Sequence, residues 1–103
     1  MTAKFEDVRM VPQQIWGMMH HIEEALRNCG FDIMLMDEKR QFIEAKTPPS
    51  IGNWGERISV QLTASGSLKA RSESVLPTQR QDWGKNRRNI RRFYSILDQL
   101  IAA

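Results

Sequence analysis

Residues 57–64, Arg57-Ile58-Ser59-Val60-Gln61-Leu62-Thr63-Ala64, alternate apolar and polar side chains with a period of two. Successive strand residues point to opposite faces, so this run is a strand with one apolar face and one wet face. Such a strand needs sheet neighbours in the same phase and a second layer over its apolar face. The rest of the chain has to supply both.

The neighbours come as two hairpins. Ser65-Gly66-Ser67 turns the chain and Leu68-Lys69-Ala70-Arg71-Ser72-Glu73-Ser74 returns. Pairing Ala64 with Leu68 gathers Ile58, Val60, Leu62, Leu68 and Ala70 on one face. It also turns the small hydroxyls of Ser72 and Ser74 inward, where a helix can approach closely and bond to them. The earlier hairpin joins Phe31–Asp37 to Gln41–Thr47 through the loop Glu38-Lys39-Arg40. Pairing Leu35 with Ile43 sets Phe31, Ile33 and Leu35 beside Ile43, Ala45 and Thr47 on the core face, with Asp32 opposite Lys46 and Met36 opposite Phe42. A slip of one residue would turn one strand's apolar set outward. In this register Met34, Met36 and Phe42 form a small apolar patch on the outer face, either covered or exposed as a contact site. Thr47-Pro48-Pro49-Ser50-Ile51-Gly52-Asn53 is a loop by composition, too short for a domain linker.

Two amphipathic stretches can form the second layer. Val11, Ile15, Met18, Met19, Ile22, Ala25, Leu26 and Cys29 recur at helical spacing between Pro12 and Gly30, which predicts a helix over about 12 to 29. Gly17 falls inside it and weakens it by roughly 1 kcal/mol relative to Ala. Near the C-terminus, Trp83, Ile90, Phe93, Tyr94, Leu97, Leu100 and Ile101 fill one arc of a second helix. Asp82 is its expected N-cap, and loss of that carboxylate costs roughly 1 kcal/mol. Lys85, Arg87, Arg88, Arg91 and Arg92 fill the opposite arc. Asn86 falls within the apolar arc, so its amide must find partners on the sheet, with the Ser72 and Ser74 hydroxyls as candidates.

The expected fold is therefore α+β: helix, four-stranded antiparallel sheet of two hairpins, helix, with both helices packed on one face of the sheet. Residues 1–103 make a single domain, preceded within residues 1–10 by an extended segment at Phe5–Met10. A chain of 103 residues, 41% hydrophobic and 26% charged, is ordinary for one globular unit. It contains no long apolar run that would cross a membrane as a helix, and its start has no hydrophobic signal region. The expectation is a cytoplasmic protein, unless the chain is cut from a longer precursor. Cys29 stands alone, without an internal disulfide or a cysteine-built zinc site.

The charge is uneven. Six basic residues against Asp82 give residues 80–92 a charge of +5, so with a total of +3 the remainder carries −2. Such an arc can attract phosphates or anionic lipid, or it can be a solvated helix face.

Several short motifs stand out: Trp54-Gly55-Glu56 ahead of a strand, Ser72-Glu73-Ser74 at the end of the next, Leu76-Pro77-Thr78-Gln79, Asp82-Trp83-Gly84-Lys85-Asn86, and Asn89-Ile90. Across most of residues 11–101 the chain resembles a group of small bacterial domains of unknown function. The resemblance implies helices layered on an antiparallel sheet and brings no known reaction. It implies that the shared positions are fold determinants: a cap at Asp82, a buried amide at Asn86, small strand residues at Ser72 and Ser74, and anchoring tryptophans at Trp54 and Trp83.

Candidate chemistry is sparse. His20 and His21 leave a helix about 100° apart, whereas zinc ligands on a helix share a face. Cys29 closes an apolar stripe and reads as a buried structural thiol. Asp37 and Glu38 adjoin on a solvated turn, a poor acid/base pair. No glycine-rich phosphate loop is present. The expectation is a non-enzymatic binding or interaction module without metal or cofactor, contacting a protein partner or a second copy through the arginine arc or the Met34–Met36–Phe42 patch. One alternative is nucleic-acid or anionic-surface binding through Arg87, Arg88, Arg91, Arg92 and Lys85, although Phe93 and Tyr94 lie on the core side and offer no base-stacking platform. Another is a small apolar ligand held between helices and sheet, lined by some of the six methionines and three tryptophans.

Overall fold

The computed structural model describes residues 3–11, 17–49, 54–76 and 84–102. Its elements run β1 (Lys4–Met10), α1 (Met18–Asn28), β2 (Asp32–Asp37), β3 (Phe42–Lys46), β4 (Glu56–Leu62), β5 (Ser67–Ser74) and α2 (Lys85–Ala102). The strands form one antiparallel sheet in the order β1-β5-β4-β3-β2. The fold is α+β with two helices, and the sheet has five strands rather than four. The additional strand is the N-terminal extended segment. It pairs along the whole free side of β5, from Lys4 opposite Glu73 to Met10 opposite Ser67. Its weak apolar alternation, with Phe5 on the same face as Asp7 and Arg9, marked it only as extended; pairing with β5 satisfies the backbone groups of its odd-numbered residues.

Side chains of α1, α2 and the sheet form one core. Met18, Ile22, Ala25 and Leu26 of α1 join Ile43, Ala45, Ile58, Val60, Leu68 and Ala70 of the sheet and Ile90, Phe93, Tyr94 and Leu97 of α2. The helices touch each other, α1 contacts β2, and α2 contacts β1 and β5. Replacing Phe93, fully buried here, by Ala costs about 3–5 kcal/mol.

Three local expectations change. Helix α1 starts at Met18, after Gly17 in the left-handed conformation (φ 78°), so Gly17 precedes the described helix rather than lying within it. Residues 12–16, part of the expected helix, lie outside the described residues. In the second hairpin Leu62, not Ala64, pairs with Leu68. This shift by two keeps every side chain on its expected face. Thr63 closes the turn, donating from its backbone N–H to Ser67 O at 2.9 Å.

The first hairpin departs more. Asp32 pairs with Lys46 and Ile33 with Ala45 as expected, but beyond a bulge at Met34 the pairs become Leu35–Glu44, Met36–Ile43 and Asp37–Phe42. The cause lies at the turn. Four residues, Glu38 to Gln41, are used instead of three, with Gln41 at φ 54° and Asp37 Oδ1 accepting from Arg40 N–H at 3.1 Å. The extra turn residue shifts the register by one, and the bulge absorbs the shift. Leu35 consequently faces out and Met36 packs against the core.

Candidate functional site

The polar residues of the short motifs converge where the first turns of α2 cross the sheet. Glu56 opens β4 in the same phase as Ile58 and Val60, so its carboxylate points inward and is only 1% exposed. An unpaired buried carboxylate is costly, and here it has partners. Oε1 accepts from the Thr47 hydroxyl at 3.1 Å and from Asn89 Nδ2 at 2.8 Å. Oε2 lies 3.6 Å from the Lys85 ammonium. Asn89 Nδ2 also reaches the Ser72 hydroxyl at 3.2 Å, and that hydroxyl donates to Asn86 Oδ1 at 2.6 Å. Asn86 Nδ2 donates to Ala3 O at 3.1 Å and to the Ser74 hydroxyl at 3.5 Å. One continuous network thus ties α2 to β4, to β5 and to the residue preceding β1.

The sequence builds this locally. Asn86 and Asn89 are three apart and lie on the same side of the helix. Ser72 and Ser74 are two apart on one strand face and buried. Gly55 is required by space as well as by conformation. At φ 92°, a Cβ there would sit 2.7 Å from Thr47 O. That closeness lets Glu56 N–H donate to the Thr47 hydroxyl at 2.8 Å and Thr47 N–H to Glu56 O at 2.9 Å. The arrangement clamps a helix to a sheet around a paired, enclosed charge.

The basic helix keeps most of its expected face. Arg87, Arg88, Arg91 and Arg92 are exposed. The Arg87 guanidinium lies 5.3 Å from the centroid of the Phe5 ring. Lys85 departs from the arc, because its ammonium turns toward Glu56. The apolar patch also changes membership. Met34 is 63% exposed and Phe42 half-buried, but Met36 packs against the core and Leu35, 50% exposed, takes its place on the outside. Trp54 is 65% exposed, so it does not anchor the fold from within. Asp82 and Trp83 lie outside the described residues.

Elsewhere, His20 is exposed with Glu24 at 3.7 Å, and the two histidine rings are 6.3 Å apart. No group of three or more His, Cys, Asp or Glu side chains suited to a metal ion occurs among the described residues. Cys29 is buried, and that burial raises its thiol pKa. Desolvation also pushes the Tyr94 phenol up to about 12. Its hydroxyl donates toward Asp7 O and Leu68 O, each at 3.1 Å. A groove of about 210 Å³, lined by Val11, Leu97 and Ile101 among others, lies between the end of β1 and the end of α2. It is not between α1 and the sheet, and it is smaller than typical small-molecule pockets.

Sequence reasoning did not single out Glu56, Asn89 or Thr47 as a cluster. Two signals were available: Glu56 is in phase with Ile58 and Val60, and Asn89 follows Asn86 by three. No helix among the described residues is long and apolar enough to cross a membrane. No protein-family model matches this chain, and no curated protein matches it significantly.

Proposed function

We propose that this chain is a single-domain, non-enzymatic module of the cytoplasm that docks a protein partner on the β2 side of its sheet. The observation that carries this reading is the bulge at Met34, which turns Met34 and Leu35 outward together on an edge strand. Phe42 adds partial exposure nearby on the adjacent strand. The charged outer face beyond it is internally paired, with Arg57 Nε 3.0 Å from Glu44 and Lys69 Nζ 3.8 Å from Glu6. An apolar patch bounded by paired charges has the layout of a small interface core with a polar rim. In this reading both helices cover the other face of the sheet. The Glu56–Lys85–Asn89–Ser72–Asn86 network serves as the fold determinant implied by the resemblance to small bacterial domains, not as reaction machinery. A photo-crosslinker at position 35 should capture one protein from the native cell extract, while the same group at Lys69 should not. Met34→Asp should abolish capture without moving the melting temperature. Equal capture from both positions, or capture that survives Met34→Asp, would sink the reading.

A second reading has its own support in the exposure of Arg87, Arg88, Arg91 and Arg92 on one helix. Arg91 and Arg92 make no ion pair among the described residues. Together the four arginines suit a nucleic-acid backbone or an anionic membrane. For duplex DNA, engaging four phosphates predicts a slope of log K against log salt of roughly −3 to −4. Changing the four to Gln should remove binding with the fold intact. Absence of wild-type binding at low salt would exclude nucleic acid, and liposome pelleting separates out lipid.

A further inference from the structure

The opposite edge of the sheet, β1, carries an inference that does not depend on the β2 reading. β1 is seven continuous residues without a bulge, and among the described residues it is the outermost strand on its side. Ser74 N–H donates to Ala3 O at 2.9 Å and Val11 N–H to Gly66 O at 2.8 Å. In an antiparallel ladder the inward-bonding residues alternate, so odd-numbered residues of β1 bond β5. The N–H and C=O groups of Lys4, Glu6, Val8 and Met10 therefore point away from β5, along an edge that no other described strand covers. Side chains at that edge include Val8, 53% exposed, and Met10, 72% exposed. β2 differs, because its bulge breaks the row of edge groups, a common protection against edge pairing.

We propose that a second copy of this chain pairs antiparallel with β1 about a two-fold axis at Val8, joining two five-stranded sheets into one. This register sets Val8 against Val8 and Glu6 against Met10, so the outward backbone groups exchange hydrogen bonds. It also sets Asp7 against Arg9, twice by symmetry, at the closer, non-hydrogen-bonded positions. Asp7 has no ion pair among the described residues. Arg9 is already held at the edge, with its guanidinium 4.0 Å from the Tyr94 ring centroid and 3.0 Å from Asp98 Oδ2. Neighbouring registers lack this complementarity. An axis at Asp7 opposes Asp7 to Asp7, one at Glu6 opposes two glutamates, and one at Arg9 opposes two arginines. The Val8 register also brings Phe5 of the second copy opposite Val11, at the rim of the groove beside Leu97 and Ile101.

Sedimentation equilibrium of the whole chain, from micromolar to millimolar concentration, tests this. The wild type should reach a dimer. Val8→Lys, which sets two like charges on the axis, should remain monomeric. So should Val8→Pro, which removes an edge N–H that β5 does not use. Asp7→Lys should raise the dimer Kd about tenfold or more. Met34→Lys, on the far edge, should dimerise as the wild type does. Circular dichroism establishes that each variant is folded, and Val8→Lys keeps the test decisive if Val8→Pro fails to fold. A wild type that stays monomeric throughout, or a folded Val8→Lys that dimerises with unchanged Kd, would overturn the proposal.

Discussion

Glu56 shows how one residue can be costly alone and stabilising in company. Its carboxylate is enclosed, and it shares its oxygens among Thr47, Asn89 and Lys85. Removing one member of such a network leaves the others short of partners, so Asn86→Ala, which takes away the acceptor of the Ser72 O–H and one of the two donors to Ala3 O, should destabilise the fold by about 1–3 kcal/mol. Urea titration measures that loss, and an unchanged midpoint would refute the role given to the amide. Tyr94 makes a prediction in pH. Its pKa is raised from 10.0 to about 12 in the folded chain, so the folded state holds the phenolic proton more tightly than the unfolded state does. That contribution is complete below about pH 10 and is lost as pH rises toward about 12. Tyr94→Phe should flatten this alkaline decline and, by deleting the bonds to Asp7 O and Leu68 O, cost about 1–2 kcal/mol at neutral pH. Alkaline thermal melts of the two proteins give the comparison.

At the scale of elements, the β2–β3 hairpin is instructive. Its inner pairs, Asp32–Lys46 and Ile33–Ala45, follow from hydrophobic phase alone. Its outer pairs do not, because a four-residue turn and a one-residue bulge are two errors that cancel. Deleting Met34 should therefore leave an unbroken ladder and keep Leu35 out and Met36 in. We expect a stability change within about 1 kcal/mol, read from the melting temperature. Deleting Ser59 from β4 should instead invert one half of that strand against the other. Either Glu56 and Ile58 or Val60 would leave the core, and the chain should not fold. Similar tolerance in both deletions would show that register is less constrained than the core requires. Helix α2 was legible as an amphipathic element because its apolar residues recur over many turns. Strand β1 was legible only as an extended segment and not as a member of the sheet, because an edge strand that places Phe5, Asp7 and Arg9 on one face has no clean alternation.

For the whole molecule, the described sheet and helices share one core, so a single cooperative unfolding transition is expected. Far-ultraviolet dichroism and tryptophan fluorescence should coincide through that transition, and separate midpoints would divide the chain into more than one cooperative unit. Changing Arg87, Arg88, Arg91 and Arg92 to Gln should leave the midpoint nearly unmoved, since these side chains are exposed.

The sequence by itself determined the α+β class, the core faces of β3 to β5, both amphipathic stretches and the inward turn of Ser72 and Ser74. These follow from periodicity, a local property that burial then enforces. The inward place of Asn86 belongs with them, because an amide in an apolar arc must seek partners. Tertiary structure alone decided the rest. The fifth strand formed because β5 had a free edge to pair. Met36 exchanged places with Leu35 because a turn lengthened by one residue. Lys85 left the arginine arc because a carboxylate about thirty residues earlier was brought beneath it. Each depends on contacts between segments distant in sequence, and no local pattern encodes them.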